Sequence, residues 1–327
     1  MATMKPDDSA QQKLFVITMR CGRLGNRMTL FAHFIALAEE QGHRVINCTF
    51  HSYAHLFEST RRDIYCRYPV APRQSWLDVI PGVAPVLRKT RICHHVGRAV
   101  HAASERFHVF GKNAVTLWEA PGGEVTQLGG PEVQDRIRDA RIVFVHGWRL
   151  CATDLVERHA GKIRDYFRPT AEIERTSQQT VDRLRQKAEV VIGVHIRHGD
   201  LRRWRGAKFF FTVSQYAAWM REMAGQFPGK KVAFYVCSDE PRNPGEFEGL
   251  VVGFGPGSPT SDLFALARCD YIFGPFSTFT QWASFYGEKP LFHLWSANDR
   301  MVPGEFRISY LDQPSGQTLG SVVRPAV

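Results

Sequence analysis

The chain reads as an α/β protein built on parallel sheets, and three observations predict this. Its 327 residues suggest about two domains, each large enough for its own core. It opens strand, glycine turn, helix, strand, which is how a parallel α/β layer begins. From residue 189 to 294, short apolar runs alternate with helical stretches, the pattern of a doubly wound parallel sheet. Pro169 begins a boundary, so the expected domains are residues 1–168 and 169–327.

In order, residues 14–19 form a short apolar strand, and Cys21-Gly22-Arg23-Leu24-Gly25-Asn26 is a tight glycine turn. Residues 28–41 then read as a helix, apolar at Met28, Phe31, Phe34, Ile35 and Ala38; Gly42 ends it and 44–48 is the next strand. Residues 51–134 have frequent Pro and Gly and weak periodicity, and resist assignment. Within them, 87–107 is strongly basic, with Arg88, Lys89, Arg91, Arg98 and Arg106 against Glu105, and it also holds Cys93, His94, His95 and His101. Their spacing matches no metal-ligand pattern. A helix facing an acceptor or an anionic membrane surface, and a plain solvated helix, both fit. Residues 142–146 read as a strand, 154–167 as a helix, and 171–187 as an exposed helix leading into the second domain. There the order is strand 189–195, helix 214–224, strand 232–237, strand 250–253, helix 261–268, strand 271–274, helix 278–286, strand 290–294.

The totals exclude several classes. No apolar run approaches the ~18 residues of a membrane span. Residues 1–12 are polar, without the apolar centre of a secretory signal. Seven scattered cysteines fit neither a disulfide framework nor a zinc site, which points to a reducing cytosol. The net charge is +10, carried by 32 Arg against 10 Lys, and the guanidinium fork suits phosphate and carboxylate partners. Nothing else points to nucleic acid: there is no zinc-finger spacing and no interleaving of aromatic and basic residues on strands.

Three loops carry the chemistry. The first is Gly22-Arg23-Leu24-Gly25-Asn26, where glycines let backbone approach a ligand and a helix start favours an anion. The second is Ile192-Gly193-Val194-His195-Ile196-Arg197-His198-Gly199-Asp200. Its apolar run is a buried strand that surfaces on His195, Arg197 and Asp200, at the strand end where open α/β sheets place ligand contacts. The third is Gly274-Pro275-Phe276-Ser277-Thr278-Phe279-Thr280, in which Ser277 or Thr278 fits an N-cap and a phosphate could share the same helix end. Taken singly, each also fits a structural turn or a cap.

Together the three loops resemble the GDP-fucose-dependent fucosyltransferase superfamily, which includes α1,2-, α1,6- and protein O-fucosyltransferases. The motifs are closest to bacterial α1,2-fucosyltransferase-like proteins. That family has a Gly-x-x-Gly-Asn turn, a His-x-Arg-x-Gly-Asp motif and an acidic helix leading to a Ser-Thr/Ser-Phe loop. These are similar to Gly22/Gly25/Asn26, His195/Arg197/Asp200, and Asp262 followed by Ser277-Thr278-Phe279, and Tyr235-Val-Cys-Ser-Asp239 is similar to a strand-end Ser-Asp of the family. The likeness covers residues 14–48 and 189–295 and not 49–140. Many α1,2 and α1,6 enzymes have a second arginine where this chain has His198.

The resemblance implies a GT-B-like fold of two Rossmann-like halves facing across a cleft, with the acceptor side N-terminal and the GDP-sugar side C-terminal. It implies no cofactor, GDP-fucose as donor, and a glycan or glycoconjugate as acceptor. By the same resemblance Arg197 contacts the pyrophosphate and His195 the ribose or base side. Asp262 accepts from guanine, Ser277, Thr278 and Phe279 hold phosphates or base, and Gly25 and Asn26 close over the pyrophosphate. Asp200 and His198 are the candidate general bases. None of the fifteen aspartates sits two residues from another, so no Asp-x-Asp metal site is expected, and Arg197 and helix amides would stabilise the leaving phosphate. The implied transfer is inverting and metal-independent. Apart from the resemblance, the cysteines and the polar N-terminus point to a cytoplasmic location, and the basic stretch 87–107 leaves peripheral membrane contact as one option. A transferase of the same fold using another GDP-sugar, and a non-catalytic basic polyanion-binding protein, remain alternatives.

Overall fold

The computed structural model describes residues 11–70 and 90–313. The polar N-terminus, the start of the basic stretch at Arg88 and Lys89, and the end of the chain lie outside the described residues. Two compact units emerge: one runs to Thr170 and is rejoined by the chain at Asp312, and the other is Ala171–Leu311. Among the described residues no helix is long and apolar enough to cross a membrane.

The first unit contains β1 (Leu14–Ile17), α1 (Leu24–Gln41), β2 (Arg44–Asn47), β3 (Arg67–Tyr68), α2 (Ile92–Phe107), β4 (Ala114–Trp118) and β5 (Thr126–Gln127). It continues with α3 (Pro131–Ile137), β6 (Ile142–His146), β7 (Leu150–Cys151), α4 (Thr153–Arg158) and α5 (Ala160–Tyr166). Its main sheet has the order β3-β2-β1-β6-β4, parallel except where β3 runs against β2. The stretch that resists assignment by sequence thus supplies two strands of this sheet and helix α2.

Helix α1 starts four residues earlier than its apolar pattern suggests, so Leu24, Gly25 and Asn26 belong to its first turn rather than to the glycine turn. It is buried almost all round, its Phe31 set edge-on against Tyr166 and Phe167. The single helix expected over 154–167 is two, broken at His159, whose φ of −103° and ψ of 19° leave the helical region. There the His159 ring bonds Glu40 Oε2 at 2.7 Å instead of solvent.

The second unit contains α6 (Ala171–Arg185), β8 (Val190–Ile196), α7 (Val213–Gly225), β9 (Val232–Ser238), β10 (Val251–Phe254), α8 (Pro259–Leu266), β11 (Tyr271–Pro275), α9 (Thr278–Gly287) and β12 (Leu291–Leu294). Its sheet is all parallel, in the order β10-β9-β8-β11-β12. Alternation decides both layers. Val190, Ile192, Val194 and Ile196 turn to one face and pack with Phe234, Val236 and Phe273 against Tyr216, Met220 and Met223 of α7. Val191, Ala233, Tyr235 and Ile272 turn to the other and pack with Val181, Leu184, Ala265, Leu266 and Ala283 of α6, α8 and α9. Gly193 permits the closest of these approaches, since a Cβ there would stand 2.7 Å from Leu266 Cδ2. Strand order reverses between β8 and β11, and the carboxyl end of that junction is where such sheets open a ligand crevice.

Candidate active site

Strand register builds the site. His195 pairs with Cys237 of β9, Val194 with Phe273 of β11, and Gly274 with His293 of β12. One row therefore crosses the carboxyl edge of the sheet on the α8/α9 face: Cys237, His195, Gly274, His293. Glycine is required in this row, because a Cβ on Gly274 would stand 2.7 Å from the His195 carbonyl oxygen.

The second and third loops meet here. The His195 ring lies 4.9 Å from that of Phe279, tilted by 34°. Burial, and then the Arg197 charge, hold His195 at a pKa of about 3. It is a neutral imidazole, and its Nδ1 is buried without a hydrogen-bond partner. His293 is alike: burial lowers it to about 4, and its Nδ1 has no partner. Two neutral rings at one sheet edge offer directional bonding to a ligand rather than charge.

Charge comes from Arg197, just beyond β8. Its Nε and Nη2 donate to Asp200 Oδ1 and Oδ2 at 2.9 and 2.6 Å. The arginine side chain is 31% exposed and the aspartate 47%. A half-exposed pair of this kind is worth at most about 1 kcal/mol, so an anion of higher charge can compete for the guanidinium. The same pair constrains Asp200, which spends both oxygens on Arg197 and would have to release it to accept a proton.

His198, the other candidate base, has both ring nitrogens engaged. It is buried, its Nε2 bonds the Phe211 carbonyl at 2.7 Å, and its Nδ1 receives Arg242 Nη2 at 2.7 Å. These partners assign the proton to Nε2. His198 cannot act as a base without losing the Arg242 bond. It holds the loop instead, together with Asp239, whose Oδ1 accepts from the His198 amide at 2.8 Å. Asp239 also closes over Gly199, where a Cβ would stand 2.7 Å from its Oδ2. Arg242 carries no motif signal in the sequence. It becomes visible only once β9 lies beside β8 and Arg242 bridges Glu240 and Glu246 as well.

In the third loop Ser277 is the N-cap of α9: its Oγ accepts from the Phe279 amide at 3.2 Å, and its carbonyl receives Thr280 Oγ1 at 2.9 Å. Ser277 is buried, whereas Thr278 and Phe279 are half-buried at the helix start.

Asp262 does not open its helix. α8 starts at Pro259, ends at Leu266 rather than 268, and is capped by Ser258, whose Oγ accepts from the Ser261 amide at 3.4 Å. Asp262 sits one turn in, buried, and its Oδ1 accepts from Tyr235 Oη at 2.7 Å. Burial raises its pKa to about 6, against the pull of the tyrosine bond. Gly255 crosses directly over this pair, and a Cβ there would collide with both Asp262 and Tyr235. The tyrosine fixes one carboxyl oxygen, and the other takes no bond from any described residue.

The glycine turn belongs to the other unit. Gly22 has φ +46°, and a Cβ on it would collide with the Asn26 side chain, which folds back over the turn from α1. Gly25 is buried in the first helical turn. No side chain caps this helix. The turn is pinned from below by buried Arg27, which donates to the carbonyls of Gly22 and Thr49 at 3.3 and 2.9 Å and to Ser52 Oγ at 3.2 Å.

Cys93, His94, His95 and His101 are dispersed around α2, and no group of three or more His, Cys, Asp or Glu able to hold a metal occurs among the described residues. A cleft of about 410 Å³ lined by Arg185, Arg268, Tyr286 and Lys289 opens at the amino edge of the second sheet, away from every candidate residue.

No family model and no curated protein matches the chain. Solved structures do. FUT1 of Arabidopsis thaliana, a mutant form in complex with GDP, is similar at a TM-score of 0.53 and 15% identity, over 92% of this chain and 75% of its own. Fucosyltransferase NodZ from Bradyrhizobium is similar at a TM-score of 0.50 and 17% identity, over 86% of this chain and 95% of its own. The chain therefore has the α/β, GT-B-like fold expected of it, with a Rossmann-like sheet in each unit.

Proposed function

We propose that this protein is a glycosyltransferase that moves L-fucose from GDP-fucose to a hydroxyl of a glycan acceptor, with inversion and without a bound metal. The carrying observation is the convergence of His195, Arg197, Ser277, Phe279 and the Tyr235–Asp262 pair on one carboxyl edge, where β8, β9 and β11 end. The fold shared with a GDP-bound protein and with a fucosyltransferase supports the same reading.

Each residue then has a task. As the bond from sugar to phosphate breaks, negative charge grows on the leaving diphosphate and positive charge on the sugar ring. Arg197 exchanges Asp200 for the phosphate oxygens, and the amides opening α9 add a positive end. The acceptor oxygen attacks the opposite face of the anomeric carbon and gives up its proton, and GDP leaves. Asp200, freed by that exchange, is the better-placed candidate for the proton, since the His198 lone pair is taken. Asp262 accepts from the N1–H and 2-amino group of guanine with the oxygen that Tyr235 leaves open, and Phe279 with neutral His195 lines the donor. Asn26, on the other unit, is assigned to the pyrophosphate on the strength of the motif alone.

A GDP-release assay tests the proposal, with GDP-fucose, GDP-mannose and UDP-galactose offered alongside β-galactosides, chitooligosaccharides and peptides. Acceptor-dependent release from GDP-fucose alone is expected, and release from another GDP-sugar alone reassigns the donor. A thermal shift with heparin but none with GDP would replace the enzyme by a polyanion-binding protein.

A further inference from the structure

Helix α2 buries its small and polar side and exposes its apolar one. Cys93, Gly97, His101 and Ser104 face inward. Gly97 must be small, since a Cβ there would stand 2.8 Å from Cys48 Sγ, and His101 bonds Thr116 Oγ1 at 2.9 Å and lies 3.4 Å from Thr18 Oγ1. The β-branched and aromatic residues lie on the adjoining face. Ile92, Val96, Val100 and Phe107 are 44, 55, 40 and 68% exposed, and Val109, just past the helix, is 60% exposed. At 100° per residue the four helical positions form one stripe, about 22 Å long at 1.5 Å rise. His95 and Arg106 flank its outer margin with Arg98 beyond them, and Arg91, His108 and Lys112 stand at its ends, all exposed. The single carboxylate of the helix, Glu105, accepts from the Thr116 hydroxyl.

We propose that α2 is a docking face for an anionic membrane surface. The helix lies along the bilayer, with its apolar stripe at the boundary of headgroups and acyl chains and its arginines at the lipid phosphates. Charge selects this occupant. A second copy would bring cation against cation. A soluble acidic partner would satisfy the arginines and leave five apolar side chains in water, whereas an anionic bilayer satisfies both. The inference stands on α2 alone and is independent of which reaction the second unit performs.

The test is vesicle flotation of the full chain, with phosphatidylcholine alone and with about 30 mol% phosphatidylglycerol added. The protein should float with the anionic vesicles and not with the neutral ones, and should be released by salt. Val96→Asp with Phe107→Asp, and separately Arg98→Glu with Arg106→Glu, should each cut the floated fraction at least about tenfold with unchanged melting temperature. Absence of flotation of the unmodified protein with anionic vesicles overturns the proposal, whatever the variants do. So does loss in the arginine variant without loss in the Val96/Phe107 variant, which would leave charge adsorption alone. A dimer in sedimentation that Val96→Asp dissolves, without flotation, assigns the face to a second copy.

Discussion

Two arginines follow the central strand of their sheets, and the protein uses them in opposite ways. Arg197 comes directly after β8, is partly exposed, and is held by a carboxylate that a more highly charged anion can displace. Arg27, in the helix after β1, is buried to 1% exposure, and it donates to carbonyls and a hydroxyl of its own unit. On the proposed function, the first is a charge kept within reach of the donor phosphates. The second is a staple that closes the loop after β2 onto the glycine turn. Topological position alone does not distinguish them; burial and the nature of the partner do.

Substitution should break this comparison most sharply at Arg197. Arg197→Ala is expected to lower transfer by about 10²–10³ with little change in melting temperature, because the guanidinium acts where charge grows in the transition state. Lys should restore little, since it cannot bridge two phosphate oxygens. Steady-state rates beside a thermal melt check this, and more than about a tenth of the original rate in the Ala variant would remove Arg197 from the reaction.

Arg27→Met should do the reverse. Losing its bonds to buried carbonyls is expected to cost about 1–3 kcal/mol, or several degrees of melting temperature, while each folded molecule keeps its turnover. A drop in turnover without a drop in stability would move Arg27 from the scaffold to the site.

Asp262 sits between these extremes, buried yet assigned to a ligand. Asp262→Asn should weaken GDP binding by about tenfold and abolish the preference over UDP, measured by calorimetry. The pH dependence sharpens the point. Its folded pKa of about 6 lies above the ordinary carboxylate value. It therefore favours the folded chain while protonated, below about pH 4, and that contribution is lost as pH rises through about 6. Guanine recognition needs the ionised form, so GDP affinity should fall as pH drops below about 6, and should be flat there in the Asn variant. A flat profile in the unmodified protein would leave Asp262 as a partner of Tyr235 only.

The smallest expected effect is that of a chelator. With no Asp-x-Asp in the chain, EDTA should leave the initial rate unchanged within error. Complete loss restored by Mn²⁺ or Mg²⁺ would show that the arginine and helix amides do not suffice.

Local sequence determined most of the second unit, because three of its five strands, β8, β10 and β11, lead through a polar loop into a helix. The apolar run of β8, the cap at Ser277 and the polar strand end at His195–Asp200 are short-range patterns, and connections this long make the strands parallel, whereas their order in the sheet is set by packing. The first unit was less open to such reading. Between β2 and β6 the chain supplies a two-residue antiparallel strand and a helix whose apolar stripe is not its buried one, so the apolar positions do not identify the inward face of α2. Helix ends failed for a related reason: Leu24, Gly25 and Asn26 look like a turn, and only tertiary packing of α1 winds them into it. What tertiary structure alone decided are the partners of polar groups. Tyr235 reaches Asp262 across 27 positions and Arg242 reaches His198 across 44. Those bonds exist because parallel strands bring distant loops to one edge, where burial makes every unpaired donor or acceptor costly. They hold His198 inside the loop and occupy one oxygen of Asp262, a division of labour that residue identity and spacing do not encode.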